Sequence, residues 1–124
     1  MRVLIVEANA ELGRLWANHL RRQGHDIALV GDTDQAVFDM QAMAPAVILV
    51  DLDLPDDGAM SISDYAAYRH PEAKVIFVTA ARFFSDGSAL QLTPNACAVL
   101  PRGTAPADLA AVVEYHGSRD AAAG

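Results

Sequence analysis

Two aspartates close an uninterrupted apolar run near the middle of the chain. Residues 47–50 read Val-Ile-Leu-Val, and Asp51, Leu52 and Asp53 follow them. A continuous run of this kind is typical of a parallel strand that is covered on both faces. A carboxylate at the carboxyl end of such a strand lies in the crevice where open α/β sheets bind ligands. Asp51 is therefore predicted to bind a cation or to react with a phosphoryl group.

Strands and helices alternate along the whole chain. Short apolar runs predict five strands, at residues 3–6, 27–30, 47–50, 75–78 and 96–100. Apolar residues at helical spacing and Gly or Pro stops predict five helices, at residues 9–23, 33–45, 58–70, 85–92 and 106–116. Asn9 is the predicted cap of the first helix, and Asp32 or Thr33 is the predicted cap of the second. The predicted inward face of the first helix consists of Leu12, Leu15, Trp16, His19 and Leu20. Five βα repeats imply a doubly wound parallel sheet with helices on both faces.

The predicted sheet brings two carboxylates together. In the strand order 2-1-3-4-5, the switch point falls between the first and third strands. Glu7 ends the first strand and Asp51 ends the third, so we expect the two side chains to be neighbours. Without a cation between them, the pKa of one carboxyl should rise. The Asp53 side chain is expected to point elsewhere, because successive strand residues face opposite sides.

Composition narrows the class of protein. A chain of 124 residues with 52% hydrophobic residues can bury one core, so we expect one domain over residues 1–117 and a disordered tail over 118–124. The net charge of −7 argues against a nucleic-acid surface. Cys97 is the single cysteine, and no apolar stretch approaches the roughly 20 residues of a membrane span. A soluble, cytoplasmic protein is expected.

Several short motifs occur in an order that points to a known family. The motifs are Arg-Val-Leu-Ile-Val-Glu at 2–7, Asp51 followed by Pro55 and Gly58, Val-Thr-Ala at 78–80 and Leu-Pro at 100–101. Each motif alone is weak, but their order and spacing are specific. Over residues 2–116 the chain resembles the receiver domain of two-component response regulators, a resemblance that implies a flavodoxin-like fold.

The resemblance implies phosphorelay signalling rather than enzyme activity. Asp51 matches the residue that accepts a phosphoryl group from a phosphohistidine, and Thr79 matches the switch hydroxyl that hydrogen-bonds this group. Glu7, the Asp51 carboxylate and the backbone carbonyl of Asp53 would hold Mg²⁺. The implied partners are a sensor histidine kinase or phosphotransfer protein and a downstream protein target, with neither nucleic acid nor membrane. A homodimer is left open.

Three positions depart from the family pattern. Ala8 stands where a second acidic residue is usual, Leu100 where a lysine is usual and Cys97 where an aromatic residue is usual. Binding of Mg²⁺ is therefore expected to be weak or absent, and an aliphatic side chain cannot pair with phosphate. Arg102 could reach the site from the following loop, although nothing in the sequence demands it. The Leu100–Pro101 bond is expected to be cis, as the Lys-Pro bond of the family often is.

Three functional interpretations stay open at this point. The first is an atypical receiver that is phosphorylated on Asp51, and the second is a receiver-like module that signals by protein contact without phosphorylation. The third is a small phosphatase, because Asp51-Leu52-Asp53 is similar to the Asp-x-Asp motif of haloacid-dehalogenase-type phosphatases. Only about 70 residues follow Asp53, too few for the later motifs of that family.

The expected output of the chain is protein contact, because no effector domain follows residue 116, so we expect a stand-alone receiver. Phe83 and Phe84 lie in the loop after Thr79, which receivers use to report their state. An exposed aromatic residue there would mark a partner surface. In the other interpretation, one of the two side chains is buried and the second is half covered.

Overall fold

The computed structural model describes residues 1–80 and 93–123. Its centre is a sheet of parallel strands in the order β2-β1-β3-β4-β5. The strands are β1 (Arg2–Val6), β2 (Asp26–Val30), β3 (Val47–Asp51), β4 (Lys74–Thr79) and β5 (Ala96–Pro101). This order and direction confirm the predicted flavodoxin-like α/β fold. The helix predicted at residues 85–92 lies outside the described residues, as do Phe83 and Phe84.

The described part of the chain contains the helices α1 (Ala10–Arg22), α2 (Thr33–Ala42), α3 (Gly58–Arg69) and α4 (Pro106–Ala123). Side chains cap the first two. The Leu12 N–H donates to Asn9 Oδ1 at 3.1 Å, and the Gln35 N–H donates to Asp32 Oδ1 at 2.8 Å. Both caps confirm the prediction, with Asp32 rather than Thr33 as the second. Within the described residues, none of the helices has the length and apolar character that a membrane crossing requires.

Apolar side chains cover both faces of the sheet. One cluster lies beneath α2 and α3, and the other lies beneath α1 and α4. Alternate residues of β1 belong to the two clusters: Leu4 and Val6 pack in the first, and Val3 and Ile5 pack in the second. All four side chains are fully buried. Burial on both faces fixes the positions of β1 and β3, so the residues at their carboxyl ends are held by a packed core.

The inward face of α1 differs from the predicted one. Leu15 is 50% exposed, and His19 is only partly buried. The buried positions are Gly13, Trp16, Ala17 and Leu20. At Gly13 the helix comes so close to Leu29 that an added Cβ would lie 2.7 Å from Leu29 Cδ1. This close approach turns Gly13 inward and leaves Leu15 on the outer side.

Two expectations about the C-terminal part are wrong. The Leu100–Pro101 bond is not cis, since the described residues contain no cis peptide. Pro101 is the last residue of β5, beside Thr79 of β4, and the Arg102 N–H donates to the Thr79 carbonyl at 3.1 Å, so the chain follows an extended path. The last helix ends at Ala123 instead of near residue 116, because the Ala-rich end contains no proline to stop it. The domain boundary at 117 stays a prediction.

Candidate functional site

Glu7 and Asp51 are neighbours at the carboxyl edge of the sheet, as predicted. Strands β1 and β3 pair with Val6 opposite Val50, so the residue that follows each of these valines arrives at the same place. Glu7 is 2% exposed and Asp51 is 4% exposed. Two carboxylates therefore lie beside each other in a largely dry crevice, where their charges interact strongly.

The Asp51 carboxyl titrates well above its usual range. Burial raises its pKa from the ordinary 3.8 to about 6. The hydrogen bond from the Asp53 N–H lowers this pKa, the charge and hydrogen bond of Glu7 raise it further, and the Arg102 charge lowers it. The predicted rise in the pKa of one member of the pair is confirmed, with Asp51 as that member.

Arg102 enters the site from the turn after β5. Its Nη2 lies 2.8 Å from Glu7 Oε1, in an ion pair whose Glu7 side chain is fully buried and whose Arg102 side chain is 30% exposed. The second Glu7 oxygen, Oε2, accepts the Asn9 N–H at 3.0 Å. The prediction did not include Arg102 among the site residues. The sequence indicated only that Arg102, two residues beyond Leu100 in the loop after β5, could reach the site.

The Asp53 side chain lies in the site, so the expectation that it points elsewhere is wrong. Thr79 Oγ1 donates to Asp53 Oδ1 at 3.1 Å and to Oδ2 at 3.3 Å, and the Ala80 N–H donates to Oδ2 at 3.0 Å. The Asp53 N–H donates to Asp51 Oδ1 at 2.8 Å. Leu52 and Asp53 lie in a turn after β3, in which the Leu54 N–H donates to the Asp51 carbonyl at 3.3 Å, so strand alternation does not set the direction of the Asp53 side chain. Asp53 thus links the end of β3 to the end of β4.

These contacts test whether the site fits Mg²⁺, which prefers six oxygen ligands in a near-octahedral arrangement. Ala8 offers no side-chain oxygen, and both Glu7 oxygens are paired with nitrogen donors. Asp51 Oδ1 accepts the Asp53 N–H. Among the described residues, no group of three or more His, Cys, Asp or Glu side chains is arranged to hold a metal ion. The donor set as arranged does not fit Mg²⁺.

The two other positions that depart from the family pattern, Leu100 and Cys97, offer no charged or reactive side chain. Leu100 is half-buried and packs against the apolar cluster beneath α1 and α4. The Cys97 Sγ–H donates to the Val75 carbonyl at 3.5 Å, and burial raises the pKa of its thiol to about 11, although the Lys74 charge lowers it. A thiol with so high a pKa is almost entirely protonated at neutral pH and therefore a poor nucleophile. The part that Phe83 and Phe84 play in a partner surface stays a prediction.

Comparison with known proteins agrees with the fold. A sequence profile described as "Response regulator receiver domain" matches residues 3–114. The chain belongs to this family. Receiver domains are signalling modules of two-component systems, generally not enzymes, and they bind Mg²⁺ and interact with histidine kinases or phosphotransfer proteins and with downstream effectors.

Relatives and solved structures extend this assignment. The regulatory protein LuxO of Vibrio vulnificus is 34% identical over 76 residues, which are 61% of this chain and 17% of that protein. A CheY-like receiver domain from Methanospirillum hungatei superposes with a TM-score of 0.87 at 20% identity, covering 99% of this chain and 98% of the other. The response regulator TrrA of Thermotoga maritima, in complex with Mg²⁺ and BeF, has a TM-score of 0.78 at 15% identity and coverages of 93% and 97%. This chain therefore spans about a sixth of the length of its LuxO relative.

Proposed function

We propose that this chain is an atypical receiver with a degenerate phosphoacceptor pocket, and that it signals by protein contact without phosphorylation of Asp51. The observation that carries the proposal is the pairing of two pocket groups with this chain's own charged side chains. Glu7 is paired with Arg102, and Thr79 donates to Asp53. These are the groups through which a receiver is expected to engage the metal ion and the phosphoryl group.

The residues that differ from the family pattern support the same proposal. A phosphoryl group on Asp51 would need positive charge around its oxygens, and the family supplies this charge with Mg²⁺ and a lysine. Leu100 is uncharged, Ala8 gives no ligand, and the guanidinium of Arg102 already neutralises Glu7. A phosphoryl group on Asp51 would also be repelled by the negative charge of the Asp53 carboxylate, to which the Thr79 hydroxyl already donates.

The proposed partner is a downstream protein. Receiver domains interact with such effectors, and a chain with net charge −7 is poorly suited to bind nucleic acid by itself. The LuxO relative is called a regulatory protein, but this chain corresponds to only 17% of its length, so no activity beyond the receiver part is transferred.

A second candidate function is phosphorylation of Asp51 by a sensor histidine kinase or phosphotransfer protein, with weakly bound Mg²⁺. The position of Asp51 favours it, because the carboxylate sits at the carboxyl end of β3 beside Glu7 and faces the crevice of the sheet. At pH 8 a group with a pKa of about 6 is ionised and can act as a nucleophile. Thr79 then has to exchange its Asp53 partner for a phosphoryl oxygen.

Phosphorylation by a small phosphodonor separates the two functions without the cognate kinase. The chain is incubated with acetyl phosphate at pH 8, with and without Mg²⁺, and its intact mass is recorded by mass spectrometry. The proposal predicts no added phosphoryl group in either condition. An increase in mass that requires Mg²⁺ and disappears in Asp51→Asn would reject the proposal and establish the second candidate.

A further inference from the structure

Glu7 is a buried carboxylate with both oxygens paired. Its side chain has no exposed surface, Arg102 Nη2 lies 2.8 Å from Oε1, and the Asn9 N–H donates to Oε2 at 3.0 Å. A carboxylate in a dry site needs a positive partner, because it has lost its hydration. In this pocket the guanidinium of Arg102 supplies the positive charge.

The backbone of the turn after β5 fixes the origin of the Arg102 side chain. The Arg102 N–H donates to the Thr79 carbonyl at 3.1 Å. Thr104 closes the turn, since its N–H and its hydroxyl donate to the Pro101 carbonyl at 3.0 Å and 2.7 Å. The side chain therefore starts from a hydrogen-bonded turn directly above the crevice, which limits the entropy lost when it pairs with Glu7.

The charge of Arg102 acts on both carboxylates of the crevice. It contacts Glu7 directly, and it also lowers the pKa of Asp51. Within the described residues, its Nε is buried and has no hydrogen-bond partner, so this part of the guanidinium group is enclosed by the site. The positive charge of Arg102 thus acts on Glu7 and Asp51, the two carboxylates between which a divalent metal ion would bind.

We infer that Arg102 is the resident cation of this pocket and that it excludes Mg²⁺. A metal ion reaching Glu7 has to displace the guanidinium, and it then lies beside the positive charge that it has displaced. Mg²⁺ also dehydrates reluctantly, so it competes poorly for a carboxylate that is already paired. The inference rests on the proposed function, because it takes this crevice as a receiver pocket. It adds that Arg102 is the residue that prevents Mg²⁺ from binding there.

The experiment is a Mg²⁺ titration of the whole chain, followed by calorimetry and by the ¹⁵N–¹H signals of Ala8, Asp51 and Asp53. The wild type is expected to give no saturable signal. Arg102→Gln keeps a long polar side chain but removes the charge, so it is expected to bind Mg²⁺ about tenfold more tightly or better. Arg22→Gln is the matched control, because Arg22 is exposed at the far end of α1 and its loss changes net charge equally.

Ala8→Asp in the Arg102→Gln background sharpens the test. Residue 8 borders a cavity of about 450 Å³, so an added carboxylate has room beside the crevice. The double variant should bind Mg²⁺ more tightly than Arg102→Gln, whereas Ala8→Asp alone should gain less because Arg102 stays in place. Arg102→Lys keeps a positive charge and is expected to bind as little Mg²⁺ as the wild type.

Two results would overturn the inference: saturable Mg²⁺ shifts at Asp51 in the wild type, or an Arg102→Gln affinity equal to that of Arg22→Gln. If Arg102→Gln fails to fold, as judged by circular dichroism, Arg102→Met replaces it as a long uncharged side chain, and a folded Arg102→Met that binds Mg²⁺ no better than Arg22→Gln would overturn the inference. Failure of the proposed function is recognised separately. Acetyl phosphate would then add a phosphoryl group to Asp51 in the absence of Mg²⁺, with no such addition in Asp51→Asn, while Mg²⁺ titration of the wild type still gave no binding.

Discussion

Asp51 is a carboxyl group that folding places in an unfavourable environment. It is 4% exposed and lies beside Glu7, so burial and the neighbouring charge raise its pKa to about 6. The folded state therefore holds the Asp51 proton more tightly than the unfolded state does. The resulting contribution to stability is full below pH 3.8 and is lost as the pH rises through about 6.

Asp51→Asn should therefore stabilise the protein at neutral pH. The amide oxygen can still accept the Asp53 N–H, and the buried negative charge is gone. We expect the free energy of unfolding to exceed that of the wild type by about 1 to 3 kcal/mol at pH 7, with the difference falling towards zero near pH 4. Urea denaturation at several pH values, followed by the fluorescence of the buried Trp16, measures it. Asp64→Asn is the control. The account would be contradicted if Asp51→Asn changed the free energy of unfolding equally at pH 4 and pH 7, or if Asp64→Asn showed the same dependence on pH.

Asp53 and Thr79 form the second pair of the crevice. Asp53 is exposed, so its hydrogen bonds with the Thr79 hydroxyl and the Ala80 N–H compete with water and are individually modest. Their position matters more than their strength. They engage the hydroxyl that the proposed function matches to the switch hydroxyl of a receiver, and they tie the end of β3 to the end of β4.

A double-mutant cycle measures this coupling. Asp53→Ala and Thr79→Val each remove one side of the hydrogen bond, and the double variant removes both. We expect a coupling free energy of about 0.5 to 1.5 kcal/mol in urea denaturation at pH 7. The same cycle with Asp64→Ala in place of Asp53→Ala should give additive effects. Additivity in the Asp53 cycle would mean that the contact contributes nothing in solution.

At the residue scale, the sequence predicted that Glu7 and Asp51 lie together, but not the side-chain contacts of Arg102 and Asp53. Glu7 and Asp51 could be placed together because each follows an apolar strand and parallel strands end at one edge. The contacts of Arg102 and Asp53 could not be predicted, because they depend on where a turn after β5 and a residue beyond the end of β3 aim their side chains. Such directions are set by tertiary structure rather than by local pattern.

At the scale of elements, the connection from β3 to α3 is the most constrained. Asp56 and Asp57 have φ values of 58° and 55°, in the left-handed region that aspartate tolerates better than most residues. Gly58 then begins α3 in a space too small for a side chain, because an added Cβ would collide with Thr33 Oγ1 and lie 3.3 Å from Leu54 Cβ. The connection thus packs the start of α3 against the start of α2.

Gly58→Ala should destabilise the protein by about 1 to 3 kcal/mol, because the added methyl group overpacks this contact. Helix propensity alone predicts the opposite sign. Gly103→Ala is the control: an added Cβ there has nothing within 4 Å, so the change should stay within about 0.5 kcal/mol. Urea denaturation of the two variants decides between packing and propensity. A stabilised Gly58→Ala would show that the two helix starts can separate at little cost.

Sequence patterns predicted the strands and the caps at Asn9 and Asp32 because these depend on residues close together in the chain. The outward position of Leu15 was missed, because it follows from the close approach of Gly13 to Leu29 of another element. The end of α4 was also missed, since Gly117 follows the last apolar period as a stop signal would, yet the helix continues through it to Ala123.

At the scale of the whole molecule, the chain has the receiver architecture, and the proposed function combines this architecture with a pocket that departs from the receiver pattern. The two apolar clusters hold β1 and β3 in the same relation that the family uses, so Glu7 and Asp51 still meet. In the proposed function, Arg102 and Asp53 take the places of the cation and the anion that a receiver would bind from outside. A stable scaffold can lose its original chemistry without losing its fold, because the site contributes little to the core.

The most direct test of this account is a ¹⁵N–¹H NMR titration with Mg²⁺ and then beryllofluoride, a mimic of the phosphoryl group. The amides to follow are those of Asp51, Asp53, Thr79 and Ala80. The account predicts no saturable shifts in the wild type at millimolar concentrations of both reagents. Saturable shifts at Asp51 and Thr79 that vanish in Asp51→Asn would contradict it, because they would mean that the pocket still accepts a metal ion and a phosphoryl group despite Arg102 and Asp53.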